Sequence, residues 1–254
     1  MRGPERILSA LGYTLIVVVT FTLVQTVVVV SHELTHSTVA WFLGHMISPL
    51  DIVWGNPLTL RGWDEGVDYT ALFSSGQLTA AAMIGVSPLI MHTVIVTAGI
   101  ALMVKGIPAN RWLFHSLFWF VIGNFMELIA YIVMRSFVSS GDVGIFNRGM
   151  EISPWFLFSG GSLVIVWGVA VLFGKVVPRL YALFAGKDRL LEWMILILAA
   201  FLLFLWGSGM RLAFYLYPDS QWMFGLLGLV AFGVVLDVYN PAGAVARWGR
   251  QKRS

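Results

Sequence analysis

Of 254 residues, 58% are hydrophobic and only 11% charged, with a formal net charge of +3 and a mean hydropathy of +0.83. Soluble domains carry about 25% charged residues, so the composition excludes a soluble globular domain and indicates a polytopic membrane protein. The absence of cysteine excludes disulfides, thiolate metal ligands and a cysteine nucleophile.

The predicted elements are all α-helical, with about six spans long and apolar enough to cross roughly 30 Å of hydrocarbon. Met1–Arg6 has the basic start of a signal peptide, but no small-residue cleavage site follows at the expected distance. The stretch therefore reads as the start of a span. The first span runs from Ile7 or Leu15 to Phe42, too long for one upright crossing. Gly44–Asp68, rich in glycine with Pro57 and the apolar run Ile52-Val53-Trp54, reads as a short hairpin-like or re-entrant segment.

The second span lies within Tyr69–Val104, with a polar lead-in at Ser74, Ser75, Gln77 and Thr79. Spans three to six are read at Trp112–Met134, Trp155–Gly174, Leu190–Met210 and Trp222–Leu236. Trp112, Trp155, Trp193 and Trp222 stand near span ends, as an interfacial aromatic belt requires. With six spans, twelve of the sixteen Lys and Arg residues fall on the side of the two termini, so both termini are expected to be cytoplasmic. The basic tail Arg247–Arg253 reads as a topology determinant and anionic-lipid contact, not as a nucleic-acid site.

His32-Glu33-Leu34-Thr35-His36 lies inside the first apolar stretch. Residues four apart share a helical face, so both imidazoles can grip one zinc ion, with Glu33 beside a metal-bound water as general base. Ionisable side chains at membrane depth are costly and mark function. The expectation is an intramembrane zinc protease holding one zinc per chain. A catalytic zinc needs three protein ligands and an open position. Two carboxylates reach a suitable depth: Asp142, in Ser139-Ser140-Gly141-Asp142-Val143-Gly144 after span three, and Glu127 within that span. The residues alone leave both open. Asn124 and Glu127, three apart on one face, can form an outer layer that orients a ligand, or an interhelical pair. His92 and His115 read as packing histidines, and His45 as a solvent-facing residue at a span end.

These motifs resemble the site-2 protease family of intramembrane zinc metalloproteases, in its small bacterial and archaeal branches. The matching parts are His32-Glu33-Leu34-Thr35-His36, Ala40-Trp41-Phe42-Leu43-Gly44 and Gly141-Asp142-Val143-Gly144, covering roughly Phe21–Phe146. Thr35 stands where the family usually has glycine, and Val143 separates Asp142 from the following glycine. The resemblance implies His32, His36 and Asp142 as zinc ligands, Glu33 as catalytic acid and base, and a three-helix core with a hairpin-like segment after the first helix. It also implies cleavage of a membrane-protein substrate helix. Residues 1–150 then form the protease core, and 151–254 the accessory helices and tail. One rival is a zinc protease resembling prenyl-protein processing enzymes, with Glu127 as third ligand. Another is a non-catalytic transporter or scaffold.

Overall fold

The computed structural model describes residues 3–56, 62–207 and 222–242, in which the regular elements are helices, with no strand among the described residues. Helix α1 (Gly3–Phe42) is an uninterrupted 40 residues, about 60 Å at 1.5 Å per residue and twice the hydrocarbon thickness. Its stop is Gly44, whose φ of +78° turns the chain so that the Gly44 and His45 N–H groups reach the Trp41 and Ala40 carbonyls at 3.0 and 2.8 Å. A left-handed glycine just past the last turn is a common helix terminator.

The following segment doubles back on itself through an antiparallel pairing. Val53 and Asp64 exchange both backbone hydrogen bonds, at 2.8 and 3.2 Å. Its tip, 57–61, lies outside the described residues. The polar lead-in to the second span is a separate short helix, α2 (Tyr69–Ser74), begun by the Asp68 carboxylate accepting from the Ala71 N–H at 2.9 Å. A break at Gly76 (φ +76°) separates it from α3 (Leu78–Lys105), which contains Pro88. Helix α4 (Arg111–Leu128) is capped by the Asn110 side chain, which accepts from the Trp112 and Leu113 N–H groups. It passes directly into a π-helical turn, Ile129–Met134. Span three is thus continuous, as expected, but its C-terminal end is widened.

Beyond it the chain reverses and forms α5 (Gly141–Met150), a helix the sequence reading did not place. Asn147 Nδ2 donates to the Ser136 carbonyl at 3.1 Å, fastening α5 to the turn that precedes it. Helix α6 (Pro154–Val171) continues through a π turn (Leu172–Val176), α7 (Val177–Leu180) and a second π turn (Tyr181–Ala185). The fourth span was expected to end at Gly174. The helical path instead runs on to Ala185 through Lys175 and Pro178, the proline following directly on the π turn Leu172–Val176. Helix α8 (Arg189–Ala200) ends in a π turn, Phe201–Trp206. The expected end of the fifth span at Met210, Arg211 and the basic tail lie outside the described residues.

Five helices among the described residues are long and apolar enough to cross a membrane: Pro4–Phe42, Leu78–Lys105, Arg111–Met134, Pro154–Ala185 and Arg189–Trp206. The stretch read as a sixth span is helix α9 (Trp222–Val238), of 17 residues. Its described part spans about 25 Å.

Helix α4 runs through the centre, with Phe114, Phe118, Trp119, Val121 and Ile122 fully buried. In lipid the hydrophobic effect does not drive helices together, so close approach and polar contacts must do so. Small residues supply the approach. A Cβ on Gly123 would lie 3.1 Å from Val24 and 3.3 Å from Val28, which brings α1 and α4 together. Gly85 faces Ile145 and the Asp142 carbonyl, and Gly149 faces Leu78 and Ala82, which seats α5 directly on α3. At the opposite end Arg6 bonds Asp188 at 3.1 Å, holding its carboxyl below the usual carboxylate range. The pair ties the start of α1 to the start of α8; surface pairs of this kind add little stability.

Candidate metal centre

His32 and His36 are one turn apart on α1, 5% and 1% exposed. Because α5 folds back along α3, Asp142 in its first turn returns to their depth and is itself 7% exposed. The Asp142 Oδ2 atom lies 3.0 Å from His32 Nε2 and 3.4 Å from His36 Nε2. The two Nε2 atoms are 3.3 Å apart. Three donor atoms thus form a nearly equilateral triangle. This is the group among the described residues that could hold a metal ion.

The protonation of both rings follows from their outer nitrogens. His36 Nδ1 lies 2.8 Å from the Ile84 carbonyl. A carbonyl only accepts, so this nitrogen carries the hydrogen and Nε2 is left with its lone pair. For His32 a short relay does the same. Asn124 Nδ2 donates to the Phe120 carbonyl at 2.8 Å, which directs Oδ1 to His92 Nδ1 at 2.7 Å. His92 therefore donates from Nδ1 and accepts at Nε2, where His32 Nδ1 lies 3.1 Å away. With both rings neutral, two imidazole lone pairs and a carboxylate oxygen converge on one point. Asp142 Oδ2 is buried against these two ring nitrogens. Buried acceptors facing one another repel unless a cation lies between them. A tetrahedral zinc with ligands at 2.0–2.1 Å has ligand-to-ligand edges of about 3.3–3.4 Å, so the triangle fits such an ion.

The ring of His32 is held at its edge by His92, and Tyr131 lies nearly parallel to it, with ring centres 5.3 Å apart and an interplanar angle of 21°. Tyr131 belongs to the π turn that ends span three. π turns recur at functional sites. Arg135 lies over the Tyr131 ring at 4.9 Å. Glu33 is half-buried, within electrostatic reach of His32, His36 and Asp142. A cavity of about 380 Å³ opens beside the Asp142 turn, lined by Tyr69, Phe73, Ser139, Ser140, Gly141 and Arg148 among others.

The sequence candidates therefore separate. His32, His36 and Asp142 come together, with Glu33 beside them. Glu127 does not join the group; its Oε1 accepts from Gln25 Nε2 at 3.2 Å, across the α1–α4 contact. Asn124 reaches the centre through His92. Reading His92 as mere packing missed that link, although its place four residues after Pro88 was visible. His115 is a packing histidine near Thr20 (3.3 Å), edge-on to Tyr13, Trp112 and Trp119. His45 is half-buried at the end of α1.

Gly144 has a physical reason for its place. A Cβ there would sit 2.5 Å from the Val138 carbonyl oxygen and 2.6 Å from the Ser139 carbonyl carbon, both backbone. Gly144→Ala must push α5 away from that turn and Asp142 with it. We expect a loss of about 1–3 kcal/mol in thermal unfolding and weaker metal binding; an unaltered melting curve would contradict this packing.

The chain has no match among protein-family models, curated proteins or solved structures.

Proposed function

We propose that this chain is an intramembrane zinc metalloprotease that hydrolyses peptide bonds in or near the transmembrane segments of other membrane proteins. The observation that carries this reading is the buried triangle of two histidine lone pairs and a carboxylate oxygen, 3.0–3.4 Å apart. It lies on helices long and apolar enough to cross a membrane, with a further carboxylate one residue from the first histidine. The resemblance to site-2 proteases points the same way. A bound zinc would polarise a scissile carbonyl and make its water acidic. His32, His36 and Asp142 are the residues to hold it, one ion per chain.

Glu33 is the group placed to take a proton from the attacking water and deliver it to the leaving amine. In this reading the cavity beside Gly141, next to the Asp142 turn, is where water and an unwound substrate enter. The substrate helix has to open locally, because its peptide groups are occupied within their own turns. The extended backbone around Val53 offers hydrogen-bonding groups to such an opened segment. In this reading both termini and the ion-paired end at Arg6–Asp188 are cytoplasmic, and α9 serves as a sixth span.

The test is metal analysis of the purified protein, paired with cleavage of transmembrane-segment reporters in detergent or lipid. Near one zinc per chain is expected, with cleavage abolished by a chelator and restored by zinc. A chain that takes up no zinc would instead be a scaffold or transporter.

A further inference from the structure

Helix α3 carries a proline in its interior, a position that normally weakens a helix by removing one main-chain hydrogen bond. In α3 the missing donor is the N–H of residue 88, and the carbonyl it leaves without an intrahelical partner is that of Ile84, four residues back. That carbonyl is the one to which His36 Nδ1 donates, at 2.8 Å. The Ser87 hydroxyl donates to the same oxygen at 2.7 Å, so both lone pairs of the Ile84 carbonyl are in use. With any other residue at 88, a third donor would compete for that oxygen from inside the helix.

One turn further along, His92 receives the Nδ1–H of His32. Positions 84, 88 and 92 fall on one face of α3, as 32 and 36 fall on one face of α1. The helices run in opposite directions, so His32 meets residue 92 and His36 meets residue 84.

We propose that α3 is a positioning helix for the metal centre. Pro88 keeps the Ile84 carbonyl open to His36, His92 fixes His32, and this one helix thereby turns both metal-facing nitrogens toward Asp142. Neither Pro88 nor His92 touches the metal or the substrate. The inference rests on the metal-binding reading above and not on proteolysis.

The test compares zinc affinity and thermal stability of wild type with Pro88→Ala, His92→Ala and His92→Gln, each as the full chain in detergent. Cobalt(II) absorption serves as a second readout of ligand geometry. Pro88→Ala restores a helix N–H. A merely structural proline would give a protein as stable as wild type or more so, with unchanged metal affinity. The proposal predicts the opposite pairing: a metal-free protein at least as stable, yet with zinc affinity reduced roughly 10–100-fold and an altered cobalt spectrum. His92→Ala is expected to weaken zinc binding to a similar degree. His92→Gln should recover part of it, since its side-chain oxygen can still accept from His32 Nδ1.

Unchanged affinity in Pro88→Ala and in both His92 variants overturns the proposal and leaves the metal centre standing. A wild-type chain that binds no zinc overturns both readings. Should Pro88→Ala fail to accumulate, the contrast between His92→Ala and His92→Gln decides the matter alone.

Discussion

Glu33→Gln is expected to lower the rate of peptide-bond cleavage by about 10²–10⁴-fold, the usual contribution of a positioned acid and base, while zinc content stays near one per chain. The replacement keeps the shape of the side chain and its helix propensity. No atom of Glu33 belongs to the triangle formed by His32, His36 and Asp142. What it removes is the only feature the mechanism needs from this residue, a carboxylate that can gain and release a proton. Metal analysis and reporter cleavage on the same preparation check both halves. Retained cleavage would take Glu33 out of the mechanism; lost zinc would make it a structural partner of the metal.

The second large effect falls on Asp142. Its Oδ2 is the anionic corner of the triangle, within 3.4 Å of both ring nitrogens. Asp142→Ala leaves two neutral imidazoles to hold a divalent cation in a buried, poorly solvated place. The expected loss of zinc affinity exceeds the roughly 10–100-fold cost of deleting a group that only orients a ligand. Glu127→Ala, by contrast, breaks a contact with Gln25 and should leave zinc binding close to that of wild type. Titration of both variants with zinc separates the two carboxylates. If Glu127→Ala lost the metal and Asp142→Ala kept it, the third ligand would be Glu127 and the likeness to prenyl-protein processing enzymes would take precedence.

What could be read from the amino-acid order follows a physical divide. His32, Glu33 and His36 were legible because one helical turn is enough to bring them together, and the apolar setting made their polarity conspicuous. The long first helix and the extent of span three were legible for the same local reason, whereas the break at Gly76 that makes the polar lead-in a separate helix was not. Asp142 was visible only as one of two carboxylates. Its distance to the histidines depends on α5 reversing along α3, and that depends on Gly85, Gly144 and Gly149 permitting backbone contact.

Helix α5 itself escaped the sequence reading because a ten-residue segment containing Asn147 and Arg148 has neither the length nor the apolarity of a span. The end of the fourth span was set too early at Gly174, since Lys175 and Pro178 usually halt a helix and here occur where wider turns absorb them. The π turns left no sequence trace, including the one that brings Tyr131 over His32. Pro88 and His92 did leave one. A Pro-x-x-x-His run on one apolar helix faces a His-x-x-x-His run on another, a complementarity that becomes visible only when the two helices are set antiparallel.

Helix α3 touches every donor of the triangle: it receives both imidazoles through residues 84 and 92, and it bears α5, with Asp142, on the bare backbone at Gly85. A sideways slip of this single rod therefore misaims all three donors in the same instant. The aim of both imidazoles and the seat of the Asp142 turn thus share one support, and a substitution that shifts α3 is expected to be felt at all three corners.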